Sequence, residues 1–374
     1  MRQKTLIIII TASLLLLTSC LLFESKPEVR DGNLSLRLNF TYPSEIDSSI
    51  QIPVNELPVK VYTNDFNLPV LYDTTDSNGC VNFDNLPYAH YNVEAYKIIW
   101  TDVQEAIEFV GASEYYFDID SMESNVKMDT LELIKAKGGL KINEIYTVGP
   151  PNNIFYFYDQ YFELYNGFLT KTVYLDGMIF LRLSRTELFA DTLAVTNIYQ
   201  FPGTPITGRE YPIEPGEFVV LAGKAMNHNL IGPIAGRTVD LSNADWEFLN
   251  LIEAGAYDNP NVPNLTTNNG KVTQSSRVDF MVGLSGDGLA LCDGTDYDQS
   301  DGIDINTVVD CVEYSSSETH TKEVPYSLDA SFGGIGLTKY SSESLERIRP
   351  GFDTNNSRVD FVIINQPTPG YQHE

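Results

Sequence analysis

Apolar and polar residues alternate along much of this chain, which is the pattern of β-strands with one buried face. Every second residue from Leu34 to Phe40 is apolar, and residues 59–61 continue the same spacing. An Asn-Gly pair at residues 78–79, which favours a tight turn, precedes two further short β segments. The pattern predicts a mainly β protein.

Further apolar runs of strand length follow a short basic joint with two glycines at residues 135–139. Because glycine-containing polar joints separate folded units, we predict a domain boundary there. The two predicted domains cover residues 33–134 and 139–374, and both are predicted to be β-sandwiches. The predicted strands of the second domain include Ile142–Ile145, Tyr161–Asn166, Ile213–Leu221, Gly286–Leu291 and Val308–Val312.

The first twenty residues have the parts of a lipoprotein signal peptide. Arg2 and Lys4 precede an apolar run at residues 6–17, and Leu-Thr-Ser stands directly before Cys20. The run is shorter than the roughly 20 residues that span a bilayer. We predict that residues 1–19 are removed, that acyl chains on Cys20 anchor the protein, and that residues 20–32 form a tether. The alternative is an ordinary signal peptide or a short membrane helix.

The predicted location is therefore the bacterial cell envelope, with the lipid anchor in the outer membrane. The chain carries 51 Asp and Glu against 24 Lys and Arg, a formal net charge of −27. This charge argues against nucleic acid as a partner and against electrostatic binding to an anionic lipid surface. With 22 Tyr and 19 Phe, the chain has enough apolar surface to fold.

Residues 75–95 resemble the carboxypeptidase regulatory-like domain, a transthyretin-like β-sandwich. In that family a D-x-x-G turn leads into a strand, a Leu-Pro turn and a strand of the form Y-x-V-x-A. The residues at these places are Asp76, Gly79, Phe83, Leu86, Pro87, Tyr91, Val93 and Ala95. The chain departs at Ala-His, residues 89–90, where the family usually has a glycine. The resemblance implies that residues 33–134 are a spacer or presentation module.

Residues 139–374 resemble the lamin tail domain, an immunoglobulin-like β-sandwich of nuclear lamins and many bacterial exported proteins. Its motifs occur in order: I-N-E-I at 142–145, Y-x-E-L-Y-N at 161–166, L-x-G at 175–177, I-x-P-G-E-x-V-V-L at 213–221 and P-T-P-G at 367–370. Residues Glu163 and Asn166 stand where a strand meets a turn, so their side chains can bond free backbone groups. We interpret Asn143, Glu144 and Glu163 as structural residues.

This second region is about twice as long as an ordinary lamin tail domain, and the excess is a predicted insertion at about residues 224–274. Residues 240–250 are amphipathic and predict a helix capped by Ser242 or Asn243. A stiff loop rich in Asn and Pro follows at residues 258–265. The two modules together resemble an uncharacterised family of envelope lipoproteins, which implies no established activity.

An acidic loop lies inside the predicted hairpin of residues 286–312. Clustered carboxylates are the ligands that Ca²⁺ requires. The spacing has one residue too many for an EF-hand and lacks its closing glutamate, so a solvated surface loop is the alternative. Calcium is the one cofactor that we consider. The candidate ligands are Asp293, Asp296, Asp298, Asp301 and Asp304.

Two cysteines, Cys292 and Cys311, flank this loop on segments predicted to pair. Export to an oxidising compartment permits a disulfide, provided that the register places the two residues opposite or nearly so. Such a bond would stabilise the fold by roughly 3 kcal/mol. Two separate buried thiols are the alternative.

The segment Phe155–Phe162 is rich in Tyr and Phe and is the best candidate for stacking on a sugar or peptide. We single out Tyr156 and Tyr158 as the stacking residues. The alternative is a core strand with every second ring inside.

The sequence carries no recognisable catalytic motif. The four histidines have no metal-ligand spacing, and G-x-S-x-G, H-E-x-x-H, P-loop and C-x-x-C motifs are missing from the sequence. We predict a non-enzymatic binding or scaffold lipoprotein, accessory to an outer-membrane uptake or assembly system, with an envelope protein or glycan as partner. The alternatives are a hydrolase acting on envelope or extracellular polymers and a purely structural spacer. An exposed aromatic platform would favour binding, and a cleft with two facing carboxylates would favour hydrolysis.

Overall fold

The computed structural model describes residues 32–42, 54, 56–63, 68–100, 106–116, 125–135, 139–251, 256–267, 280–298 and 300–373. Strands and loops make up nearly all of these residues, so the predicted mainly β fold is confirmed. The chain divides into two compact units. The first takes in the described residues up to Lys97 and those of Gly111–Leu133, and the second takes in Ile98–Val110 and the chain from Ile134 onward.

The first eight strands form two sheets. One sheet has the order β4-β1-β7, and the other has the order β3-β2-β5-β6-β8. The alternating apolar residues of β1 are its buried face, as predicted, and β1 pairs antiparallel with β4 and parallel with β7. The strands are β1 Leu34–Thr41, β2 Pro58–Tyr62, β3 Leu71–Thr74, β4 Cys80–Leu86, β5 His90–Trp100, β6 Ala106–Tyr116, β7 Val126–Glu132 and β8 Ile134–Lys135.

The remaining strands begin at the predicted I-N-E-I motif. The 3-10 turns are His228–Leu230, Gly232–Ile234 and Ile305–Thr307, and a short helix α1 covers Ser357–Asp360. The strands are β9 Leu140–Tyr146, β10 Tyr161–Asn166, β11 Val173–Tyr174, β12 Ile179–Leu183, β13 Thr192–Leu193, β14 Val195–Gln200, β15 Pro212–Ile213, β16 Phe218–Ala222, β17 Trp246–Leu249, β18 Asn264–Thr266, β19 Gly286–Cys292, β20 Ile303–Asp304, β21 Val308–Ser315, β22 Ser344–Arg347 and β23 Phe361–Ile364.

Eleven of the described strands form one large curled sheet, half of a barrel, and the lamin-tail-like sandwich stays a prediction. Its order is β21-β19-β12-β14-β18-β17-β16-β10-β9-β22-β23. The predicted insertion supplies β17 and β18, which lie between β16 and β14. Without these two strands the order would break into two sheets of four and five strands, which are the layers that a sandwich needs.

The predicted helix at residues 240–250 is wrong. Trp246–Leu249 is a strand, parallel to β16 on one side and to β18 on the other. Its side chains reach the core of the curled sheet, where the Phe248 ring stacks on the Phe280 ring with centroids 4.5 Å apart. Burial of these rings outweighs the helical pattern of the isolated segment. Across the described parts of the chain, no helix has the length and apolar character needed to cross a bilayer.

A bulge in β9 explains why two isoleucines three residues apart, Ile142 and Ile145, both lie in the core. In the pairing of β9 with β10, Glu144 lies opposite Glu163 and Ile142 lies opposite Leu164, so Asn143 is an extra residue. Side chains along a strand point alternately to the two faces of the sheet, and an extra residue shifts this alternation by one position. The bulge therefore keeps Glu144 on the outer face while both isoleucines point inward.

A buried ion network fastens β9, β21 and β22 to the segment before α1. The Arg347 guanidinium lies 3.0 Å from Asp310, and Lys141 pairs with both Asp310 and Asp353. Arg347 also lies 3.6 Å from Asp360. Two cations face three carboxylates, so the charges do not balance. The two cations hold the pKa of Asp353 well below its ordinary value, and burial raises the pKa of Asp360 to about 7.

Candidate functional site

A groove of about 430 Å³ opens where the turn between β15 and β16 meets the start of β17. Its volume lies in the range of small-molecule and side-chain binding sites, roughly 300 to 1,000 Å³. Aromatic rings and carboxylates share its lining, and Gly370 of the C-terminal segment forms part of the wall. The residues that matter are Glu210, Tyr211, Glu217, Phe218, Asp245 and Trp246.

The aromatic residues of the groove are held by ring contacts. The buried Trp246 packs edge-on against Tyr211 and against Phe201, with centroids 5.1 and 5.0 Å apart. Phe218 is half-exposed, and its ring lies 4.7 Å from that of Tyr165. Tyr211 is also half-exposed. Preformed rings of this kind can contact a ligand without losing much side-chain freedom.

Two carboxylates of the groove bond nearby backbone. Asp245 accepts from the N–H of Val220 at 2.8 Å, directly before β16 begins to pair with β17. Glu217 accepts from the N–H of Glu214 at 2.7 Å and so closes the turn. Burial, together with the negative charge of Glu217, raises the pKa of Asp245. The two carboxylates therefore interact, and each is held in place by backbone N–H groups.

The loop that carries Glu210 and Tyr211 is held by one buried aspartate. Both backbone N–H groups donate to the carboxylate of Asp176, at 2.9 to 3.1 Å. Asp176 belongs to the predicted L-x-G turn, whose position is confirmed. This turn thus positions one side of the groove.

The opposite wall depends on a row of three glutamates on the outer face of the curled sheet. Register places Glu163 of β10 opposite Glu144 of β9, and Glu144 opposite Glu346 of β22. All three residues are buried. We call Glu144, Glu163 and Glu346 the glutamate row.

The C-terminal segment lies over the glutamate row and donates hydrogen bonds to it. Gly370 donates its N–H to Glu163 at 2.6 Å, and Thr368 donates its N–H to Glu144 at 3.1 Å. The Thr368 hydroxyl lies 3.2 Å from Glu144 and 2.9 Å from Glu346. This hydroxyl has one hydrogen and can donate to only one of them. For the other contact to be a hydrogen bond as well, that glutamate must carry a proton and donate it to the hydroxyl oxygen of Thr368.

Burial sets the charge of the glutamate row. It raises the pKa of Glu144 to about 7 and, with the nearby charge of Glu144, the pKa of Glu163 to about 9. Burial also raises the pKa of Glu346. Carboxylates that lie side by side in a dry environment resist ionisation together. At neutral pH Glu163 therefore keeps its proton and Glu144 is partly protonated, which fits the bonds of Thr368.

The structure does not bring the five aspartates of the acidic loop together. No group of three or more His, Cys, Asp or Glu able to hold a metal ion occurs in the described part of the chain. Asp293 bonds Thr295, Asp298 bonds Ser300 and Asp304 bonds Asn306. Asp296 accepts from the N–H groups of Asp298 and Asp304, and Asp301 is exposed. The carboxylates stabilise turns of the loop, and the calcium site stays a prediction without a converging ligand set.

The predicted disulfide is not formed in the structure. Cys292 and Cys311 are both buried free thiols on the paired strands β19 and β21. A bulge shifts the register, so Cys311 lies opposite Ala290 and Cys292 lies opposite Val308. The two cysteines are therefore not direct cross-strand partners, although both side chains belong to one core cluster, and the disulfide stays a prediction.

The predicted stacking residues lie in a loop before β10. Tyr156 donates to or accepts from Nδ1 of the buried His228 at 2.5 Å, and its ring lies edge-on to that of Tyr158, 5.5 Å away. Tyr158 is 40% exposed, and Lys224 Nζ stands 5.2 Å from its ring. The alternative of a core strand is wrong for these two residues, whereas Tyr161 and Phe162 are buried in β10 as that alternative expected. Stacking by Tyr156 and Tyr158 stays a prediction.

Cys20, the predicted lipidation site, lies outside the described residues. The groove itself was missed by the sequence reasoning. Tyr211, Phe218 and Trp246 are 35 residues apart at the extremes, and the strand at Trp246 was expected to be a helix. The one available signal was the run of acidic and aromatic residues beside the P-G-E turn.

Among solved structures, the chain is similar to a DUF4876 family protein from Bacteroides thetaiotaomicron. The identity is 22%, the TM-score is 0.54, and the alignment covers 88% of this chain and 94% of that chain. At this identity the similarity shows a shared mainly β fold, that of an uncharacterised family. FimP, a fimbrial protein from Actonomyces oris, covers 47% of each chain at 13% identity, and its TM-score of 0.20 carries no argument. No protein-family model and no curated protein matches the chain.

Proposed function

We propose that the protein is a non-enzymatic, lipid-anchored binding module of the bacterial cell envelope that engages its partner through the groove. The single observation that carries the proposal is the groove itself. It combines a fitting volume with half-exposed aromatic rings and acceptor oxygens held by backbone bonds.

The proposal assigns different tasks to the two parts of the chain. The region of residues 33–134, which resembles a transthyretin-like sandwich, serves as the spacer between the lipid on Cys20 and the second unit. The region of residues 139–374, which resembles an enlarged lamin tail sandwich, carries the groove, and Trp246 of β17 lines it. We propose an accessory role in an outer-membrane uptake or assembly system.

An array of glycans and peptides tests the proposal. The detergent-solubilised full chain is applied as wild type and as Phe218→Ala, which removes a half-exposed ring of the groove. Phe189→Ala is the matched control, because Phe189 is 88% exposed and lies outside the groove. We expect at least one ligand class to bind the wild type and the control, and to be lost from Phe218→Ala. Binding that survives in Phe218→Ala, or no binding to any class, would overturn the proposal.

A hydrolase acting on envelope polymers is the second candidate, and one observation favours it. Asp245 and Glu217 interact in the groove, and burial raises the pKa of Asp245. Two carboxyl groups, one of them with a raised pKa, are the arrangement used by glycosidases. Release of reducing ends from purified peptidoglycan or outer-membrane polysaccharide, lost in Glu217→Gln, would establish this activity. The binding proposal expects no release with either protein.

A further inference from the structure

The charge of the groove is one-sided. Glu210, Glu217 and Asp245 line it, and none of its described lining residues is basic. The nearest basic residue along the chain, Arg209, stands over the ring of Tyr174 and donates to backbone carbonyls. The acidic side chains thus receive no neutralising charge from the lining.

Some carboxylate oxygens of the groove accept no hydrogen bond from the described residues. Asp245 accepts from the N–H of Val220 and from its own N–H, and Glu217 uses one oxygen on the N–H of Glu214. For the second oxygen of Glu217, and for the carboxylate of Glu210, no donor occurs within the described ranges. Ionised carboxylates form their strongest hydrogen bonds with cationic donors. The open acceptors therefore favour a positively charged group.

The aromatic half of the groove favours the same kind of group. Cations are attracted to the faces of Trp, Tyr and Phe when they lie within about 6 Å of the ring centre. Tyr211 and Phe218 are half-exposed beside the carboxylates. A guanidinium group is planar and weakly hydrated, so it can stack on a ring and bond a carboxylate at the same time.

We propose that the groove binds a basic side chain, above all arginine, of a partner polypeptide. The proposal rests on the proposed function and names its ligand class. The net charge of −27 attracts a basic partner from a distance. The same charge repels anionic lipid headgroups, so the source of the cation is a protein segment rather than a membrane surface.

Matched peptides test this assignment. Nine-residue Gly/Ser peptides with two central arginines are compared with peptides in which citrulline replaces both, since citrulline keeps the shape and loses the charge. The detergent-solubilised full chain is the binding protein. We expect the arginine peptides to bind at least about tenfold more tightly than the citrulline peptides. This preference should weaken between 50 and 500 mM NaCl, because salt screens the attraction between the two arginines and the carboxylates of the groove.

Variants connect the preference to the groove. The double variant Glu217→Gln and Asp245→Asn keeps an acceptor oxygen at each position and should lose the preference. The matched control, Glu318→Gln with Asp191→Asn, changes two exposed acidic residues elsewhere and should keep it. Glu210→Lys is a second test, because no described hydrogen bond of the fold uses the Glu210 side chain, and it should also abolish the preference.

The outcomes separate this inference from the proposed function. Equal binding of arginine and citrulline peptides, or a preference that persists in the double variant and in Glu210→Lys, overturns the inference. A neutral glycan that binds wild type and not Phe218→Ala, with no arginine preference, supports the proposed function and overturns the inference. Absence of any groove-dependent ligand overturns both.

Discussion

At the residue scale, buried charge is the main feature of this protein. Burial raises the pKa values of the glutamate row, whereas in the ion network around Arg347 two cations hold the pKa of Asp353 low. Both arrangements use β9 and β22. They predict opposite responses to the removal of a charge, because only the second has cations to balance it.

Replacing Glu163 with Gln should stabilise the protein at alkaline pH. The folded pKa of Glu163 is raised to about 9 from an ordinary value of 4.5. The folded protein therefore holds a proton that the unfolded chain releases above pH 4.5. The stability that this proton contributes is complete below pH 4.5 and is lost as pH rises through about 9. Gln cannot ionise, and its amide can bond the Asn143 oxygen, which has no described partner.

Chemical unfolding at pH 5 and pH 9 measures this effect. We expect the free energy of unfolding of Glu163→Gln, relative to wild type, to be at least about 1 kcal/mol higher at pH 9 than at pH 5, since a pKa change of one corresponds to about 1.4 kcal/mol. The exposed Glu318→Gln serves as control and should show no such difference. A pH-independent effect at Glu163 would contradict the raised pKa.

Replacing Arg347 with Met should destabilise the fold by about 3 to 5 kcal/mol, because removal of one partner leaves buried charges uncompensated. Arg347 is 1% exposed and is the shared partner of three aspartates. Urea unfolding at pH 7 provides the measurement. Arg185→Met, at an exposed position, is the control. A loss below about 1 kcal/mol would mean that Lys141 alone suffices for the network.

At the element scale, the strands of the predicted insertion decide the architecture. β17 and β18 join two groups of strands that would otherwise form separate layers, and β17 carries both a core ring and one wall of the groove. The motif-bearing strands around them, including β9, β10, β16, β19 and β21, lie where the sequence predicted. Their alternating apolar residues and turn signals were sufficient to locate them.

Truncating Phe248 tests whether the insertion belongs to the core. Phe248 is fully buried and contacts four other aromatic rings, those of Phe162, Phe180, Tyr199 and Phe280. We expect Phe248→Ala to lower the free energy of unfolding by about 3 to 5 kcal/mol, as for other buried phenylalanines. Leu251→Ala, at a half-exposed site two residues beyond the strand, should cost less than about 1 kcal/mol. Equal costs for the two variants would show that the strand is peripheral.

At the scale of the whole molecule, the N-terminal cysteine and the acidic surface define how the protein meets its surroundings. We propose that a lipid on Cys20 holds the chain at a membrane, against the repulsion between its net charge of −27 and anionic lipids. A groove with aromatic rings and carboxylates suits basic polypeptide partners in that position.

Labelling with an alkyne fatty acid tests the anchor. In a bacterial host, the wild type should incorporate the label and partition with membranes, whereas Cys20→Ala should lose the label and keep the signal for export. Cys80→Ala controls for acylation of another thiol, since Cys80 is the half-exposed cysteine of the described chain. Equal labelling of the wild type and Cys20→Ala would disprove lipidation at Cys20.

The sequence by itself determined the mainly β class and the positions of the motif-bearing strands, because period-two burial and turn chemistry are local properties. It could not determine the curled sheet, the register that separates Cys292 from Cys311, or the groove. These depend on residues far apart in the chain: the strand of Trp246 forms because β16 and β18 bury it, although its isolated pattern favours a helix. The raised pKa values of the glutamate row are likewise tertiary, since burial requires three strands and the C-terminal segment to exclude water together.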